Sequence, residues 1–142
     1  MPVDTLRARL VRMGAWLFAV GMVTGLWAAV VLTEKVKVPI PRLALAAHLN
    51  AILGAFWLIA VASTLDLLRY SDTGRRRLSQ LVALAAWANW LITLIASLFG
   101  VRGLEYTSDR ANNVIALLLE IFVVSPSLIA AAMWAWGLGA RR

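Results

Sequence analysis

The sequence reads as four long apolar runs separated by short stretches where charge, proline or glycine gathers. A bilayer core of about 30 Å needs about 20 apolar residues in a helix, and each run meets that length. The pattern predicts spans over about 13–32, 43–65, 78–99 and 114–138. Pro39 and Pro41 break the chain before the second span, Ser71, Asp72, Thr73 and Gly74 separate the second from the third, and residues 100–113 form the last loop. Loops this short make sequential helices antiparallel neighbours. The predicted fold is all-α: a four-helix transmembrane bundle, one integral membrane domain over 1–142, with both termini on the same side.

Composition agrees with that reading. At 62% hydrophobic and 15% charged residues, with a mean hydropathy of +0.81, the chain has too little polar surface for a water-soluble globule. The apolar runs recur along the whole chain instead of stopping after one N-terminal segment, so no removable leader is expected. Without cysteine there is no disulfide framework, iron–sulfur cluster, thiolate-ligated metal or cysteine nucleophile. The net charge of +7 comes from residues flanking the spans, where topology and anionic lipid account for it; no nucleic acid is expected as a partner.

Nine of the 14 cations fall on one side: Arg7, Arg9, Arg12, Arg69, Arg75, Arg76, Arg77, Arg141 and Arg142. Lys35, Lys37, Arg42, Arg102 and Arg110 fall on the other. The positive-inside rule places the termini and the middle loop in the cytoplasm, as in a multi-pass protein of a bacterial inner membrane. In the first span Gly21 and Gly25, with Thr24 beside them, are expected to let a neighbouring helix approach. Trp134 and Trp136 are expected as interfacial anchors.

Polar side chains inside a span are costly and mark an interior or a functional cavity. Here His48 and Asn50 lie early in the second span, Asn89 and Thr93 in the middle and outer part of the third, and Glu120 in the fourth. With alternating helix directions all five fall in one half of the membrane, where they could share a pocket. Arg102, Glu105, Tyr106, Asp109, Asn112 and Asn113 would close its mouth. The single histidine, with no cysteine beside it, argues against a zinc site, and could instead be a lone haem ligand, leaving the opposite iron position open. Glu120 would take Arg102 or Arg110 as its cation. Pro126 is expected to kink the last span, with Ser125 and Ser127 covering the freed backbone groups.

The stretches AAHLNAILGAFWL (46–58) and WANWLITLIASLFG (87–100) resemble the hydroxylaminobenzene mutases, small four-span bacterial isomerases. More distantly the chain is similar to styrene oxide isomerase, through the second-span histidine, the Trp-Ala-Asn of the third span and Arg102-Gly103-Leu104. That resemblance implies a homo-oligomer, a trimer, with ferric haem b held by His48 and acting as a Lewis acid rather than a redox centre. It implies Asn50, Asn89 and Thr93 as catalytic residues, Arg102 beside a haem propionate or Glu120, and a small aromatic substrate: an arylhydroxylamine rearranged to an aminophenol, or an epoxide to an aldehyde. Two positions depart from the epoxide isomerase. Gly54 replaces an asparagine six residues after the histidine, a loss for which Asn50 could compensate one turn away while the glycine opens space. Thr93 stands where that enzyme has a catalytic tyrosine, and agrees with the mutase pattern. Two readings compete: a small proton-coupled transporter using Glu120, and a haem-binding membrane protein without catalysis.

Overall fold

The computed structural model describes residues 3–139; Arg141 and Arg142, counted above with the cytoplasmic cations, lie outside them. Among the described residues every regular element is helical, with no strand. Three helices, α1 (Val3–Leu32), α2 (Pro41–Ser63) and α3 (Asp72–Phe99), precede a fourth span, Arg110–Gly137. That span comprises α4 (Arg110–Leu119), a π turn (Glu120–Val124) and α5 (Ser125–Gly137). All four are long and apolar enough to cross a membrane. The helices begin two to ten residues before the apolar runs because hydropathy marks the lipid-immersed stretch, whereas charged turns such as Arg7–Arg12 and Arg75–Arg77 stay helical outside it.

Local chemistry sets the ends. Pro41 opens α2, where its missing N–H costs nothing. Asp109 caps α4 by accepting the Ala111 N–H at 3.0 Å. Gly100 ends α3 in the left-handed region at φ 66°, and its N–H returns to the Ala96 carbonyl. A single helical turn of 3₁₀ type, Leu65–Leu67, follows α2.

Small residues decide how closely the helices approach, because lipid tails leave little hydrophobic force between apolar helices. Gly14 of α1 faces Ala55, Leu58 and Ile59 of α2, Gly21 faces Ala51 and Ile52, and Gly25 faces His48. Rising numbers on α1 meet falling numbers on α2, so the two run antiparallel. The indole N–H groups of Trp90 and Trp27 reach Thr24 Oγ1 and Ser97 Oγ at 3.0 and 3.4 Å, which runs α3 in the same sense as α1. Large side chains such as Trp16, Leu26, Leu53 and Leu128 point outward, as a lipid-facing surface requires.

The two halves of the bundle differ. Leu10, Leu17, Leu58, Val61, Leu78, Val82 and Ala130 form a close apolar core towards one end. There the start of α1, the α2–α3 connection and the end of α5 are tied together: Arg7 bridges Asp4 and Asp66, the Arg69 N–H reaches the Gly137 carbonyl at 3.1 Å, and the Tyr70 hydroxyl reaches the Met133 carbonyl at 2.9 Å. Trp134 donates to Thr64 Oγ1 at 2.9 Å, so it is a tertiary tie, while the exposed Trp136 lies under the Arg69 guanidinium, 5.1 Å from the ring centre. Towards the other end a smaller cluster of Ile92, Ala96, Ile115 and Val123 leaves room beside it.

The last span corrects one expectation. No side-chain hydrogen bond of Ser125 or Ser127 is found among the described residues. The helix instead accommodates Pro126 by widening one turn, in which the Ser125 N–H reaches back five residues to the Glu120 carbonyl.

Candidate active site

The amide and hydroxyl groups of the two central helices meet by spacing alone. Asn89 and Thr93 are four residues apart and share one face of α3. The antiparallel α2 brings Asn50 opposite them. Asn50 Nδ2 donates to Asn89 Oδ1 and to Thr93 Oγ1, each at 3.0 Å, and the Thr93 hydroxyl donates to Asn89 Oδ1 at 3.4 Å. This leaves Asn50 Oδ1 as an acceptor and Asn89 Nδ2 as a donor without partners among the described residues. Neither is among the sealed, unpartnered side-chain atoms, which are Arg75 Nε and Trp87 Nε1. Both spare groups are therefore open to the space beside them.

That space is a cavity of about 560 Å³, walled by Leu43, Ala96, Leu119, Val123 and Val124 and carrying Asn50, Asn89, Thr93, Arg102 and Glu120 as its polar groups. An apolar chamber of a few hundred Å³ with a few convergent polar groups is the usual form of a small-molecule site. Arg102 reaches it through a clamped loop. Gly103 is left-handed at φ 62°, and a Cβ there would lie 2.4 Å from Ile115, so only glycine fits. Its N–H is held by the buried Asn112 side chain at 2.8 Å, which also donates to the Glu105 carbonyl at 2.7 Å. Asn113 grips Thr107 in the same way, accepting from its N–H and donating to its carbonyl. Asn112 and Asn113, expected as loop residues at the pocket mouth, are thus first-turn residues of α4 that fix the loop.

Glu120 is partnered differently from the expectation. Among the described residues no ion pair joins it to Arg102 or Arg110; its carboxylate accepts the Tyr106 hydroxyl at 2.9 Å. The hydrogen bond to Glu120 raises the Tyr106 phenol above its usual 10.0, with desolvation and repulsion between the two anions adding to it. A raised phenol contributes stability that is present below pH about 10 and lost as the pH rises through the folded value. In a Tyr70→Phe background, Glu120→Gln is expected to return the Tyr106 titration towards 10, read from tyrosinate absorbance; an unmoved titration would show that the pair does not form.

His48 faces away from this cavity. Two residues along a helix are about 200° apart, so His48 and Asn50 occupy opposite sides of α2. The half-buried imidazole lies on α1 instead, where Nδ1 sits 2.8 Å from the Gly21 carbonyl oxygen. A carbonyl only accepts, so Nδ1 carries the proton and Nε2 keeps a free lone pair in the neutral ring. Gly25 makes the seat, because a Cβ there would come within 2.9 Å of the ring. The glycine pair expected for helix packing thus also holds the histidine. The five polar residues do not share one pocket within a single chain: four do, and His48 does not.

A profile of the styrene oxide isomerase family matches residues 6–139. The chain belongs to the styrene oxide isomerase family. It is also 26% identical over 140 residues to a hydroxylaminobenzene mutase, HabB, of Ectopseudomonas oleovorans, covering 94% of this chain and 81% of the relative. Family membership and this relative together make the protein a membrane isomerase in its broad class.

Gly54 behaves differently from the expectation too. It opens no space: a Cβ there would lie 3.1 Å from both Ala86 Cβ and Leu17 Cδ2, at the point where α1, α2 and α3 meet. A larger side chain there would press on both neighbours. Gly54→Asn is expected to lower stability by about 1–3 kcal/mol through overpacking, seen as a lower unfolding temperature in detergent. A variant as stable as the parent would show that the three helices can part here.

Proposed function

We propose that this protein rearranges a small arylhydroxylamine to an aminophenol within a bacterial inner membrane, with ferric haem b bound through His48. The observation that carries the reading is the pair of open amide groups, Asn50 Oδ1 and Asn89 Nδ2, on the wall of an apolar cavity of aromatic dimensions. The residues suit the cofactor. Among the described residues no three His, Cys, Asp or Glu gather to hold a bare metal ion. A site offering one imidazole with its Nδ1 proton already committed suits a metal that arrives with its other ligands in a cofactor, which His48 would hold. When bound, ferric haem supplies a Lewis acid that eases heterolysis of the N–O bond.

The chain's own groups account for the rest. Asn50 Oδ1 accepts the substrate N–H, and Asn89 Nδ2 donates to the hydroxyl oxygen, so the molecule is held with its ring against Leu119 and Val123. In the rearrangement the N–O bond breaks and a C–O bond forms at a ring carbon. That carbon gives up its proton to the Glu120 carboxylate, and the nitrogen gains one, so that product and substrate are isomers. Tyr106 holds Glu120 in place through its hydroxyl. Arg102 offers a positive charge at the same cavity.

Because His48 and the amide cluster lie on opposite faces of α2, one chain does not present both to one substrate. A closed ring of copies, a trimer as in the epoxide isomerase, would set the histidine face of one against the cavity of the next. The termini and middle loop belong on the cytoplasmic side by their arginine excess.

The test is product analysis with haem-loaded protein and phenylhydroxylamine or styrene oxide. An aminophenol formed faster than in a heat-denatured control is expected. Aldehyde from the epoxide with no aminophenol would move the assignment to epoxide isomerisation, and neither product would leave a haem-binding protein without this chemistry.

A further inference from the structure

The end of the bundle opposite the cavity carries charge that the described residues do not neutralise. Asp4, Asp66 and Asp72 are the side-chain carboxylates at that end, and each is already in an ion pair, the first two with Arg7 and the third with Arg75. Arg9 on α1 and Arg76 on α3 have no such partner among the described residues, yet they line the same groove, of about 140 Å³. Two guanidinium groups sharing a groove without a counterion repel each other, and an anion between them removes that cost.

The groove is graded. Arg9 and Arg76 supply donors at its outer level and Gln80 adds one a turn further in, where Met13 also lies; Ala83 lies two turns beyond Arg76, towards the lipid interior. The Ser79 hydroxyl is already spent on the Arg75 carbonyl at 2.8 Å, so the arginines and the Gln80 amide are the free donors. Because α1 and α3 run in the same sense, the two arginines lie at one end of the groove and Met13 and Ala83 towards the other. A volume of about 140 Å³ suits a phosphodiester and leaves no room for acyl chains, which would continue outside the groove along the two helices.

We propose that this groove between the starts of α1 and α3 is a binding site for the headgroup of an anionic phospholipid. It is separate from the isomerase cavity and does not depend on its chemistry. Phosphate oxygens bridge Arg9 and Arg76, and the bound lipid ties the first helix to the third at an end where no hydrogen bond between those helices is found among the described residues.

The experiment uses the full-length protein in nanodiscs of phosphatidylcholine with or without phosphatidylglycerol, following thermal unfolding by tryptophan fluorescence and counting retained lipid by native mass spectrometry. Phosphatidylglycerol is expected to raise the unfolding midpoint of the parent. Arg9→Gln and Arg76→Gln are each expected to weaken its retention about fivefold, and the double variant by the product of the two. Arg12→Gln with Arg77→Gln removes the same charge outside the groove and is expected to keep both the shift and the retained lipid. Equal losses in the two double variants would overturn the proposal in favour of general surface charge. An equal shift produced by inorganic phosphate in pure phosphatidylcholine would overturn the lipid as its source.

Discussion

Replacing His48 by alanine is expected to abolish the Soret band of protein purified with added haem, and with it all isomerase activity. The imidazole is the only histidine side chain in the sequence, and the Gly21 carbonyl fixes its tautomer from 2.8 Å, so no other residue can offer the same nitrogen. Loss of that hydrogen bond removes about 1 kcal/mol between α1 and α2. The contacts of Gly14 and Gly21 with α2 remain, and the helical circular dichroism should be unchanged. A folded His48→Ala protein that retains a normal Soret band would sink the haem assignment while leaving the fold and the cavity untouched.

The second large effect is expected at Asn50. Asn50→Leu keeps the side-chain size but removes one acceptor open to the cavity and two donated hydrogen bonds. Asn89 and Thr93 still have each other at 3.4 Å, so the variant should fold. Losing the substrate contact and the orientation of Asn89 together should cost about 3 kcal/mol of transition-state stabilisation, or roughly a hundredfold in kcat/KM. Haem content should not change, because His48 lies on the other side of α2. That separation of cofactor from turnover is the useful readout: a variant with full activity would remove the amide cluster from the mechanism.

Much of the fold was legible because a membrane span has only one economical secondary structure, so length and hydropathy suffice to find it. The gathering of Asn50, Asn89 and Thr93 was legible for the same reason, since helix rise and alternation of direction set depth. Rotation about the helix axis was harder to read. His48 and Asn50 are at nearly equal depth, which groups them by hydropathy, yet two residues of helix send them to opposite sides.

The features missed were those that depend on contact between distant residues. Nothing in the run of residues 100–109 announces that Asn112 will hold the Gly103 N–H, although a glycine following an arginine at a pocket mouth hints at a left-handed turn. A lone carboxylate in an apolar run, such as Glu120, points to a cation as its partner, because opposite charge is the strongest attraction a sequence displays. A phenol two residues beyond Leu104 met it instead. Gly54 read as a gap because a glycine shows what it lacks and not what surrounds it.

The π turn at Glu120–Val124 has a consequence for the whole last span. One extra residue in a turn offsets the helix by about 100° relative to an unbroken α-helix. The two parts of the span are therefore phased separately. Asn112, Ile115 and Ala116 of α4 are aimed at the third helix and the cavity loop, while Ala130 and Gly137 of α5 are aimed at the apolar core and the α2–α3 connection. A deletion of a single residue within 120–124 would restore a regular helix and put one of those faces out of phase with its partner. The widened turn acts as a vernier between the cavity end and the apolar-core end, letting each settle into its own register along one continuous rod.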